Sequence, residues 1–181
     1  YKIRKELIKK EKKPRKIRYV PPGYLLSKKL SQQKNSNIIF FGDTHWRPQY
    51  KAMKNKFRDK LIHIFNIWNQ PDFDKYIIEK PKGSIFLNLH KHNKCLCAEG
   101  LRFSQLLSAG CLIISEKCDT LDENIFKDYV TFTNNCHKEY NNFIKMPLQD
   151  RQKKADNILE KYKKEFSPRS IFERAKINEI I

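Results

Sequence analysis

Nowhere in the 181 residues does an apolar run approach the roughly 18 that a membrane-spanning helix needs. No charged flank, apolar stretch and small-residue cleavage site stands near Tyr1, so no secretory leader is expected. The dinucleotide pattern G-x-G-x-x-G and the phosphate-loop pattern G-x-x-x-x-G-K-[ST] are both missing. There is no internal repeat, and no low-complexity segment beyond a basic N-terminus. These absences leave a soluble, cytoplasmic globular domain as the expectation. A chain of this length suits one domain with a real core, plausibly a piece of a longer protein.

Acidic residues are also scarce, 20 against 38 Lys and Arg, for a net charge of +18. The imbalance is uneven: residues 1–36 hold 13 basic and 2 acidic side chains, a net of +11, and residues 37–181 carry the remaining +7. Residues 1–36 are therefore expected to be a basic segment and linker, and 37–181 the folded domain. The basic segment, 1–18 in particular, suits an anionic membrane surface or nucleic acid, although no zinc-finger or RNP-like reading module accompanies it. Five cysteines, an odd number without a leader, point to reduced thiols. Cys95-x-Cys97 with His90, His92 and His137 invites a zinc reading, but the spacing is not C-x-x-C and no second pair follows. Cys111, inside an apolar run, reads as a small buried hydrophobe.

Hydrophobic periodicity then orders the chain. A charged helix broken at Pro14 is expected over 1–18, and "YVPPGY" at 19–24 and "SQQKNSN" at 31–37 read as connectors. "NIIFFG" predicts a strand buried on both faces. Helix 48–61 follows, with Pro48 in its first turn; then strand 62–68, helix 72–80, strand 84–90, helix 97–109 and strand 111–115. A turn around "DENIFKD" leads to strand 129–132, and the rest is helical, with Ser167 and Pro168 opening the last segment. Alternation of this kind predicts right-handed crossovers. The fold class is α/β: a Rossmann-like parallel sheet of about five strands, helices on both faces and a C-terminal helical tail.

In such a sheet ligands bind beyond the carboxyl ends of the strands, near the point where strand order reverses. "GDTHWR" after the first strand places Gly42, Thr44 and Arg47 there. Gly42 would let a backbone approach a ligand, Thr44 offers a hydroxyl, and Arg47 can pair with phosphate oxygens; an ordinary turn with a surface Arg is the plain alternative. Asn88 and His90 end the third strand two residues apart, on one side of the sheet if the strand continues. Phe103, Leu106, Leu107 and Gly110 form the apolar face of the next helix, and Glu99, Arg102 and Gln105 lie on another stripe. That stripe is either a solvated ion-pair face or, at a helix N-terminus, a site for phosphate and vicinal hydroxyls.

"IFLNLH", then "EGLRFSQLLSAGCLIISE", then "YVTF", resembles the C-terminal half of glycosyltransferases of the GT-B fold, group-1-like. The family pattern is a strand ending Asn-x-His, then E-x-x-R-x-x-[EQ]-x-[LA]-x-x-G-[CA], then a strand ending Ser-Glu or Ser-Asp. "IIFFGDTHWR" and the closing helices extend the likeness over about residues 19–180. The resemblance implies half of a GT-B fold that binds a nucleotide-sugar donor and transfers the sugar to a glycan, protein or lipid acceptor, without a metal or other cofactor. It implies that Gln105 occupies the place of the second Glu of the family's E-x7-E motif, near donor ribose. Cys97 stands where the first Glu would be. Arg102, with Arg47 or Thr44, would contact the diphosphate, with Asn88 and His90 in the same cleft. The N-terminal GT-B domain, which would bring the acceptor, lies outside this chain. A non-catalytic relative kept as a binding module, and a basic nucleic-acid or membrane-surface adaptor, are the alternatives.

Overall fold

Ile38 to Phe41 are all buried, and their side chains alternate between two cores. The computed structural model describes residues 20–25, 29–34, 37–45, 47–64, 85–91 and 98–175. In it β1 (Ile38–Phe41) sends Ile38 and Phe40 to one face of the sheet and Ile39 and Phe41 to the other. Strand β3 (Ile85–Asn88) repeats the pattern, Ile85 and Leu87 opposite Phe86, and so does β4 (Leu112–Glu116), Leu112 and Ile114 opposite Ile113. With β2 (Leu61–Ile64) and β5 (Val130–Thr133) they form a five-stranded, all-parallel sheet in the order β2-β1-β3-β4-β5. This is the expected Rossmann-like α/β architecture, with helices on both faces.

Helices α1 (Pro48–Phe57) and α4 (Cys136–Lys145) cover one face through Met53, Phe57, Tyr140 and Phe143. Helices α2 (Gly100–Ser108), α3 (Thr120–Phe126) and α6 (Pro168–Arg174) cover the other through Phe103, Leu106, Leu107, Phe126 and Ile171. The long α5 (Leu148–Glu165) serves both: Ala155 enters the first core and Tyr162 the second. Each large side chain so buried contributes about 1.5–3 kcal/mol.

Several boundaries differ from expectation. Helix α1 ends at Phe57, because Arg58 adopts φ 50 and passes into a single 3-10 turn, Arg58–Lys60; β2 then starts at Leu61. The "DENIFKD" turn is a helix, α3, started by the Asp119 carboxylate accepting from the Leu121 amide. β3 stops at Asn88, two residues short of His90. Helix α2 begins at Gly100, with Glu99 as its N-cap rather than inside it. The expected helices at 1–18 and 72–80 and most of strand 62–68 lie outside the described residues.

The described part of 20–34, expected as connector, lies against the body. The Tyr24 amide donates to the Phe166 carbonyl at 2.7 Å and the Leu30 amide to the Ala109 carbonyl at 2.8 Å. The Leu25 amide donates to Ser108 Oγ at 2.9 Å, the Gln32 amide to Gln152 Oε1 at 2.7 Å, and the Ser104 hydroxyl to the Gly23 carbonyl. Gly23 has no room for a side chain, since a Cβ there would meet Ile171 Cδ1 at 2.9 Å.

Candidate functional site

β1 connects to β2 on one side of itself and β2 to β3 back on the other, so strand order reverses between β1 and β3. Gly42 stands at the carboxyl end of β1 with φ +126, a conformation that a side chain disfavours. Beyond it the chain makes a tight turn: Asp43 Oδ1 accepts from the His45 amide at 2.8 Å, and the Arg47 amide donates to the Thr44 carbonyl at 3.1 Å. That turn delivers Arg47, the N-cap of α1, back over the strand end.

Two arginines meet there. Arg47, 8% exposed, places its guanidinium 5.3 Å from the Phe40 ring centre; Arg102, 5% exposed, lies 4.6 Å from the Phe41 ring centre. Phe40 and Phe41 point to opposite faces of the sheet, so the two cations flank the end of β1 from both sides. A Cβ built on Gly42 would sit 3.6 Å from Nη2 of each.

Arg47 Nε donates to the Asp43 carbonyl at 3.0 Å and Nη1 to the Leu89 carbonyl; Nη1 and Nη2 both reach Glu99 Oε1 at 3.2 Å. Arg102 Nη1 pairs with the other oxygen of Glu99 and donates to Asn88 Oδ1 at 2.8 Å. Asn88 Nδ2 donates in turn to Ser115 Oγ at 3.0 Å, whose hydroxyl donates to the Glu116 carbonyl at 2.9 Å. Arg102 Nε is enclosed with no partner. Burial pushes the Arg102 guanidinium down to about 10; Glu99 opposes this and Arg47 adds to it.

Glu99 is the one carboxylate bonded to either guanidinium among the described residues, so this cluster carries a net positive charge at the switch point of the sheet. An anion there would complete it, and the fixed forks of two arginines suit the tetrahedral oxygens of phosphate.

No protein-family model, curated protein or solved structure matches the chain. What the site can do therefore rests on its own geometry.

Of the sequence-predicted residues, the structure brings together Gly42, Arg47, Asn88, Glu99 and Arg102. Thr44 is half-buried in the turn and contributes its carbonyl to the Arg47 amide. Gln105 does not join: it is half-buried on α2, with its Oε1 enclosed and no bond to the arginine cluster. The helix start explains this, because Glu99 reaches Arg102 from the cap position and Gln105 sits one turn further in.

His90 and Asn88 also part company. Because β3 ends at Asn88, strand alternation does not carry on to His90, whose ring turns to the α1 and α4 side. Its amide donates to Glu116 Oε2 at 2.7 Å, and its Nε2 bonds the Lys117 carbonyl at 2.7 Å.

Sequence reasoning passed over the Leu89 carbonyl and the rings of Phe40 and Phe41. The doublet of aromatics before Gly42 was the available signal. Cys95, Cys97 and His92 of the zinc reading lie outside the described residues, as do Asp72 and Asp74. Among the described residues no group of three potential metal ligands gathers. Cys111 is buried, and desolvation pushes its thiol far up, so it is a packing residue. No described helix is long and apolar enough to cross a membrane.

Proposed function

We propose that this chain is the donor-binding part of a glycosyltransferase and holds the diphosphate of a nucleotide sugar across the carboxyl ends of β1 and β3. One observation carries the reading: two buried guanidinium groups converge on Gly42 with a single carboxylate between them, leaving a positive charge at the switch point of a parallel sheet. The sequence likeness to GT-B enzymes supports a sugar nucleotide over other diphosphates. Arg47 and Arg102 would neutralise the leaving diphosphate, and Gly42 would let its oxygens approach the backbone. The acceptor, whether glycan, protein or lipid, would be held by a partner domain across the cleft.

The test is a thermal-shift series with UDP, GDP, ADP and CMP and their common sugars. A nucleoside diphosphate is expected to raise Tm, and Arg102→Ala to remove the rise. No rise with any nucleotide overturns the reading.

A second reading has its own support. Both oxygens of Glu99 are occupied by the arginines, and Cys97 stands where the family carries its first Glu. A binding module without transfer activity would behave so, giving the same thermal shift but no release of sugar from the donor when the full-length protein is assayed with acceptors. The basic adaptor reading predicts polyanion binding that falls steeply with salt and vanishes on deletion of 1–18.

A further inference from the structure

A cavity of about 390 Å³ lies on the α1 and α4 side of the sheet's carboxyl edge. It is set apart from the arginine pair by the end of β3: the Leu89 carbonyl accepts from Arg47, and the next residue, His90, lines the cavity. Its size suits a small ligand.

The polar atoms facing it have an unusual balance. A carbonyl only accepts, so the bond from His90 Nε2 to the Lys117 carbonyl puts the proton on Nε2. In the neutral ring Nδ1 then carries a lone pair and has no partner among the described residues. Glu116 spends Oε2 on the His90 amide and leaves Oε1 without a partner among those residues. Gln49, Thr133 and Asn134 add groups that both donate and accept, over a floor formed by Met53. The Cys136 thiol completes that floor; burial pushes it up to about 12, so it stays uncharged. The lining cation, Lys117, turns its ammonium to Glu123 at 3.5 Å.

Two unmatched acceptors ask for a ligand that donates. The absence of a free cation in the lining disfavours phosphate and carboxylate. An apolar floor beneath mixed amide and hydroxyl groups suits a ring with one flat face and hydroxyls around its edge.

We infer that this cavity is a binding site for a neutral sugar ring, whose hydroxyls donate to His90 Nδ1 and Glu116 Oε1 and exchange bonds with Thr133, Asn134 and Gln49. The site goes beyond the diphosphate reading and stands whether or not the arginine pair binds a nucleotide.

Saturation-transfer NMR on the whole chain tests it, with the methyl glycosides of glucose, galactose, mannose and N-acetylglucosamine as probes. At least one glycoside is expected to give a signal. Thr133→Val and Glu116→Gln, which keep side-chain shape, should each weaken its binding about fivefold, the value of one hydrogen bond. No signal from any glycoside, or a signal undiminished in both variants, overturns the inference. Should either variant fold poorly, a [15N]histidine-labelled parent gives the second measurement: the His90 Nδ1 resonance must move when the glycoside is added, and an unmoved resonance overturns the proposal. Inorganic pyrophosphate is run as a separate probe of the arginine pair. A glycoside response without a pyrophosphate response keeps this site and removes the donor reading; the reverse removes this site.

Discussion

Replacing Glu99 with Gln removes the carboxylate that faces both guanidinium groups while keeping the side chain's shape. At about 4 Å and an effective dielectric of about 20, each unit-charge contact is worth about 4 kcal/mol before desolvation. The Glu99 side chain is 28% exposed, which weakens both contacts through solvent screening. Removing one partner of a fully buried pair costs about 3–5 kcal/mol, so about 2–4 kcal/mol is the expectation here. For a domain of this size that lowers Tm by about 5–15 °C, which differential scanning calorimetry reads directly. The same change raises the local charge, so inorganic pyrophosphate should stabilise Glu99→Gln more than the parent. The refuting result is a Tm within about 2 °C of the parent's, or a pyrophosphate shift smaller in the variant than in the parent. Either would mean that Glu99 does not hold the two cations together.

Gly42→Ala introduces a side chain at φ +126; it should cost about 1–3 kcal/mol by denaturant titration and abolish any thermal shift with diphosphates, since its Cβ occupies the space between the two Nη2 atoms. Ser108→Ala leaves the Leu25 amide without its acceptor and should cost about 1 kcal/mol, with faster hydrogen exchange at Leu25 and little change in the β4 core. The Arg102 guanidinium, lowered in the folded state to about 10, binds fewer protons there than when unfolded as pH rises above that value. Its contribution to stability therefore increases between about 10 and its ordinary value, while diphosphate binding falls over the same window; isothermal titration at pH 8 and pH 10.5 should separate the two.

Much of the sheet was readable because its strands are buried on both faces and appear as short apolar runs cut by Gly42, Asn88 and Gly110. The arginine pair was readable for a related reason: Arg47 and Arg102 follow strand ends, and a charged residue so placed is pointed at the ligand edge by topology alone. What escaped depended on a single residue's backbone or on distant contacts. Arg58 at φ 50 stops α1 three residues before its polar pattern does. Asp119, capping α3, turns a stretch that looked like a loop into a helix. The end of β3 at Asn88 separates two residues whose spacing had put them on one side. Gln105 shared a stripe with Arg102, but a stripe says which face a side chain leaves from, not how far the neighbouring strand extends to meet it.

The segment 20–34 has no helix or strand of its own, yet Pro22, Gly23, Tyr24, Leu25, Leu30 and Gln32 are each bonded to α2 or α5 or to the residues that follow them. Charge draws a boundary near residue 36, and cooperativity draws it nearer residue 20. A fragment beginning at Asn37 would bare Ser104, Ser108 and the flank of Tyr162 to water, and a separate peptide of residues 20–34 would have a ready-made seat along them. The segment behaves as a detachable part of the body, able in principle to be supplied in trans.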